Sequence, residues 1–165
     1  MSLAPVSIHA LAQQVIDAAS ARRLTISTAE SCTGGMVSAA LTDIPGSSAV
    51  FHRGYVTYAN IAKSEMLGVS LALLGQHGAV SEPVARAMAE GALHAARADM
   101  AVAITGIAGP GGGSEQKPVG TVHFACAVRG RPTVHAHQQF GGDRSAVRLA
   151  AVEQALHLLK AALAA

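Results

Sequence analysis

Tryptophan is absent from this sequence, and aromatic residues of any kind make up only 3% of it. Base stacking along a single-stranded nucleic acid calls for more aromatic faces than two tyrosines and three phenylalanines supply. The net charge is +2 and the basic residues are scattered rather than grouped, so no basic face for a duplex is expected either. No apolar run reaches the roughly 18 residues of a membrane span, and no basic start followed by an apolar block marks a leader. With two distant cysteines, Cys32 and Cys126, in no metal-ligand spacing, a reduced, cytoplasmic setting is expected, with no nucleic-acid or membrane partner.

Charged residues are also few, at 13%, while half of the chain is apolar, which excludes a disordered chain. The core has to be built from Ala, Val, Leu and Ile, side chains that suit close packing of helices on a sheet. Ile8, Leu11, Ala12, Val15, Ile16 and Ala19 fall at helical spacing, with Ser7 as the expected cap. Residues 24–28 read as a short strand, and Thr33-Gly34-Gly35 opens a helix to about Leu41. A strand over 50–57, helices over 61–67 and 71–76, and a longer helix from Ser81-Glu82-Pro83 follow. Met100 to Ile104 is a continuous apolar run of the kind buried on both faces. Residues 120–128 and 132–140 form a hairpin about Arg129-Gly130-Arg131, and Asp143 caps the last helix. The expectation is an α/β fold: a single three-layer α/β/α domain over 1–165, with a mixed, mostly parallel sheet and a C-terminal β-hairpin followed by a helix.

Three features carry chemistry. Ser31 lies between an expected strand and a glycine-opened helix, where the helix N-terminus favours an anion or a developing oxyanion. By itself such a serine is more often a plain helix cap. Of the eight histidines none is tied to Ser31 by a motif; His135-Ala136-His137 puts two rings on one strand face, and two ligands fall short of a metal site, so no metal is expected. Lys63, one of three lysines, follows the Tyr55–Tyr58 segment and is the better base if an apolar setting lowers its pKa, with Tyr58 able to relay or orient a proton. A solvated helix lysine is the alternative. The glycine block from Gly106 to Gly113 follows the buried strand; it has neither a Walker lysine nor a dinucleotide spacing, and reads as a phosphate cradle or a loop.

Five blocks taken in order resemble the CinA C-terminal domain family, the stand-alone nicotinamide-nucleotide amidohydrolases. They are Ala29-Glu30-Ser31-Cys32-Thr33-Gly34-Gly35, Gly54-Tyr55-Val56-Thr57-Tyr58, His77-Gly78-Ala79-Val80-Ser81-Glu82, the block from Thr105 to Gly113, and Lys117-Pro118-Val119-Gly120-Thr121-Val122. The resemblance runs from about Ile8 to the C-terminus and departs from the family pattern at Ala59 and Ile61, where a polar residue is usual. It implies hydrolysis of the carboxamide of nicotinamide mononucleotide to nicotinic acid mononucleotide and ammonia, in pyridine-nucleotide salvage, without a cofactor. It assigns the nucleophile to Ser31 and proton transfer to Lys63 and Tyr58. Substrate binding is assigned to Cys32, Thr33, Gly34, Gly35, Thr105, Gly106, Gly109 and Gly111, with Arg144 as a phosphate partner. At this length no N-terminal domain like that of longer members is expected. The alternative is a non-catalytic nucleotide-phosphate module or an accessory protein of competence or DNA damage. Self-association into a homo-oligomer is expected from the alanine-rich helices.

Overall fold

The computed structural model describes residues 4–165, so the first three residues of the expected 1–165 domain lie outside the described residues. Five strands and six α-helices follow in the order α1 (Val6–Ala21), β1 (Ile26–Glu30), α2 (Met36–Thr42), β2 (Phe51–Val56), α3 (Asn60–Leu67), α4 (Leu71–His77), α5 (Glu82–Ala96), β3 (Met100–Gly106), β4 (Thr121–Val128), β5 (Val134–Gln139) and α6 (Arg144–Ala164). One sheet has the order β2-β1-β3-β4-β5. β2, β1 and β3 run parallel, while β4 and β5 add antiparallel neighbours, so the sheet is mixed with a parallel core as expected.

The two crossovers between parallel strands, β1 to β2 and β2 to β3, travel in opposite directions across the sheet. Right-handed connections then place their helices on opposite faces. One layer packs Val15, Ile16, Leu41, Val152 and Leu156 of α1, α2 and α6 against Val102 and Ile104. The other packs Val84, Met88, Ala89 and Ala92 of α5 against Ala101, Ala103, Ala125 and Ala127. Alternate residues of β3 thus serve opposite layers, the larger to one and alanines to the other. The scarcity of aromatics fits this arrangement, because an alanine-lined face lets α5 sit close to the sheet.

Most boundaries agree with the sequence reading, and the exceptions have local causes. α1 starts at Val6 with Pro5 at its cap position, so Ser7 lies inside the first turn and makes no cap. β1 starts at Ile26 rather than at 24, because Leu24 N–H closes the end of α1 on Ala19 O at 2.9 Å and Thr25 is tied to the Asp99 carboxylate. α2 starts three residues later than expected, with Gly35 as its cap at φ 101°, which leaves Ser31–Gly35 as a free-standing turn. Asp143 does cap α6, accepting from Ala146 N–H at 2.9 Å. Among the described residues no helix is long and apolar enough to cross a membrane.

Candidate active site

The carboxyl ends of β1, β2 and β3 meet at one edge of the sheet, where open α/β sheets commonly bind ligands. The ladders run one residue past β1: Ser31 N–H donates to Ile104 O at 3.0 Å and Thr57 N–H to Glu30 O at 2.8 Å. Ser31 is therefore held between two neighbouring strands, with only 9% of its surface exposed. α3 buries Lys63 and Leu67, four residues apart on one face. That face carries the Lys63 ammonium inward to 3.2 Å from Ser31 Oγ, 2.7 Å from Thr57 O and 3.2 Å from Tyr58 O. Lys63 is 1% exposed, and loss of hydration pulls its pKa below the ordinary lysine value. The alternative of a solvated helix lysine is thereby set aside.

The residue that shapes the turn is Glu30, which the sequence reading quotes but gives no role. Its carboxylate is fully buried and accepts from Gly35 N–H (3.2 Å), Val37 N–H (2.9 Å), Ser38 N–H (3.0 Å) and Ser38 Oγ (2.8 Å). It occupies the amides that start α2, so the positive end of that helix is neutralised from within. The expectation that these amides point outward to a ligand is corrected accordingly. Ser38 Oγ also pairs with Thr28 Oγ1 at 2.7 Å, and a Cβ at position 54 would come within 2.4 Å of Ser38 Oγ. The glycine of the Gly54–Tyr58 block is thus a requirement of this polar knot. An acid one residue before Ser31, with a helix starting six residues on, was the available signal.

The other expected residues divide. Cys32 is buried and its thiol is pushed up to about 11, chiefly by desolvation, which makes it a poor nucleophile beside Ser31. The Tyr58 phenol is exposed and accepts from Arg144 Nη2 at 3.0 Å, so its backbone carbonyl rather than its hydroxyl meets Lys63. Arg144 also donates to Gly109 O at 2.7 Å, drawing α6 and the glycine block to the Tyr58 rim. Thr105 is buried with Oγ1 on Ala79 O at 2.9 Å, so its hydroxyl is committed to the 77–82 segment. Gly106 and Gly109 pack on Val122 and Val119, whereas Gly111 faces open space. An apolar hollow lined by Ile8, Met36, Ala39 and Leu149 lies on the α1–α2–α6 layer and contains none of these residues.

Beside Thr105, its sheet partner His123 stacks on His137 with ring centres 4.5 Å apart, and its Nδ1 lies 2.9 Å from His135 Nε2. The His135-Ala136-His137 rings share a face, both stacking on His123; among the described residues no group of three or more His, Cys, Asp or Glu is arranged to hold a metal. His123 titrates at about 4, lowered first by desolvation and then by His137, His135 and Lys117, against an opposing pull from Glu82. Its folded pKa lies below the ordinary 6.5, so the unfolded chain takes up the proton first on acidification. Stability present above about 6.5 should be lost as the pH falls towards about 4, and His123→Gln should lose less over that window. Thermal melts of the two proteins check this, each kcal/mol moving the midpoint by about 2–4 °C in a chain of this size.

Fold and site together define a three-layer α/β protein with a buried serine–lysine pair at the carboxyl edge of its parallel strands. The chain belongs to the CinA family through its C-terminal domain, whose profile matches residues 8–163. It is 58% identical over 149 residues to the nicotinamide-nucleotide amidohydrolase PncC of Escherichia coli K12, covering 90% of each protein. It is 55% identical over 145 residues to a CinA-like protein of Syntrophus aciditrophicus, covering 87% of this chain and 34% of that longer one. The crystal structure of the competence/damage inducible protein CihA from Agrobacterium tumefaciens superposes with a TM-score of 0.97 at 51% identity, over all of both chains.

Proposed function

We propose that this protein is an amidohydrolase that converts nicotinamide mononucleotide and water to nicotinic acid mononucleotide and ammonia. The observation that carries the reading is the contact of Lys63 Nζ with Ser31 Oγ at 3.2 Å, with both side chains buried, in a chain 58% identical to a nicotinamide-nucleotide amidohydrolase. Neutral Lys63 accepts the Ser31 proton as Oγ bonds to the carboxamide carbon, and the carbonyl electron pair moves onto oxygen. The resulting Lys63 ammonium returns that proton to the departing nitrogen, so ammonia leaves and an ester to Ser31 remains. Water then gives a proton to the same amine as its oxygen bonds to the ester carbon, the carbon–Oγ bond breaks, and the Lys63 ammonium returns the proton to Ser31 Oγ, releasing nicotinic acid mononucleotide.

Residues around the pair take the substrate. Arg144 is an exposed guanidinium at the rim and serves the phosphate, with Gly109, whose carbonyl it holds, and Gly111 of the same glycine block. Cys32, Thr33, Gly34 and Gly35 border the carboxamide through their backbone, and Thr105 lines the floor through its link to Ala79. Tyr58 orients Arg144 through its hydroxyl, and Lys63 through its carbonyl. Both cysteines are buried and free, which supports a cytoplasmic role in pyridine-nucleotide salvage. The test is ammonia release in a coupled assay: turnover of nicotinamide mononucleotide is expected, with free nicotinamide, which lacks the phosphate, a much poorer substrate. Absence of ammonia at saturating nucleotide would overturn the proposal.

A further inference from the structure

The carbonyls of the Ser31–Gly35 turn are held in a way that fixes where its amides point. Ser31 O accepts from Gly34 N–H at 3.0 Å, and Thr33 O from Met36 N–H at 3.1 Å. Arg148, reaching across from α6, donates through Nε to Cys32 O at 3.0 Å and through Nη2 to Thr33 O at 3.3 Å. The peptides of this turn are trans, and a trans peptide aims its N–H opposite to its C=O. Holding Cys32 O towards α6 therefore turns the Thr33 amide away from α6.

Accounting for the remaining amides narrows the donors further. Ser31 N–H is used by Ile104 O, Gly34 N–H by Ser31 O, and the amides of Gly35, Val37 and Ser38 by Glu30. Among the described residues, Cys32 N–H and Thr33 N–H are the turn amides left without an acceptor. Thr33 Oγ1 is likewise buried without a partner. These two amides follow Ser31 directly in the chain, next to the oxygen that attacks.

We propose that Arg148 is a positioning residue for the hydrolysis: by gripping the Cys32 carbonyl, which shares a peptide with the Thr33 amide, and bracing Thr33 O beside it, Arg148 presents the Thr33 amide to the oxyanion formed when Ser31 adds to the carboxamide. The inference rests on Ser31 being the nucleophile. Lysine cannot fork between two carbonyls, and methionine cannot donate at all, so the effect should grade from Arg148→Lys to Arg148→Met. A positioned oxyanion donor acts on the transition state rather than on the bound substrate.

The variants are assayed on nicotinamide mononucleotide, and their affinities are measured for the product and for the aldehyde analogue 3-formylpyridine mononucleotide, which adds a serine hydroxyl to form an oxyanion. For Arg148→Met, kcat and aldehyde affinity should both fall by about 10²-fold, the loss of one such donor, with KM and product affinity near wild type. Arg148→Lys should lie between, and millimolar guanidinium should restore part of the Arg148→Met rate. Wild-type kcat and aldehyde affinity in both variants would overturn the inference, as would a loss of product binding that matches the loss of kcat. If Arg148→Met does not fold, Arg148→Lys carries the comparison alone. Ser31→Ala in parallel separates the two readings: turnover retained there removes the nucleophile assignment, whereas an inactive Ser31→Ala beside an unaffected Arg148→Lys removes only the role of Arg148.

Discussion

Ser31→Ala is expected to lower kcat for ammonia release by roughly 10⁴- to 10⁶-fold, the range seen when a serine nucleophile is removed from a unit that acts together. Substrate affinity should change little. The lost hydroxyl contributes one contact to Lys63, which keeps Thr57 O and Tyr58 O as acceptors at 2.7 and 3.2 Å. The turn itself is held by Glu30 and Arg148 rather than by the Ser31 side chain, so the fold should survive. Steady-state kinetics with product titration by calorimetry checks both halves. A fall in affinity equal to the fall in rate would mean that Ser31 binds substrate instead of attacking it.

Lys63→Met is expected to lower kcat by about 10²- to 10⁴-fold, the usual contribution of a positioned general base. Lys63→Arg should be as poor although it keeps the positive charge, because a guanidinium does not lose its proton in the working range. That pair of variants separates a base from a merely electrostatic role. In the wild type only the neutral amine can take the Ser31 proton, so the rate should climb with pH through the Lys63 pKa, which burial holds below 10.5. Stability carries the same sign. Between the lowered folded value and 10.5 the unfolded chain binds the extra proton, so wild type gains stability relative to Lys63→Met as the pH rises through that window. Denaturant melts at several pH values read this directly; a difference between the two proteins that does not vary with pH would show that Lys63 titrates normally.

Much of the fold was legible because local signals agreed with the tertiary result. The helical spacing of Ile8, Leu11, Val15 and Ile16 is the face that α1 buries, and the unbroken Met100–Ile104 run became a strand covered by helices on both sides. The errors fell where side-chain contacts, near or distant in the chain, decide the local conformation. Residues 24 and 25 are strand-like in type but close α1 and bind Asp99, a residue more than 70 positions away. The glycines of residues 33–35 suggested a helix start, yet the reach of the Glu30 side chain sets that start at Met36.

The sequence by itself determined the layering, through the period of its apolar residues, and marked Ser31 by the strand–turn–helix around it. Composition sufficed there because burial of aliphatic faces is non-directional and averages over many side chains. Only the tertiary structure decided what Ser31 can do. Its meeting with Lys63 across 32 positions, the use of the α2 amides by Glu30, and the grip of Arg148 on the turn from 116 positions away are directional contacts. Such contacts depend on ångström-scale placement by three packed layers, which the period of the apolar residues does not fix.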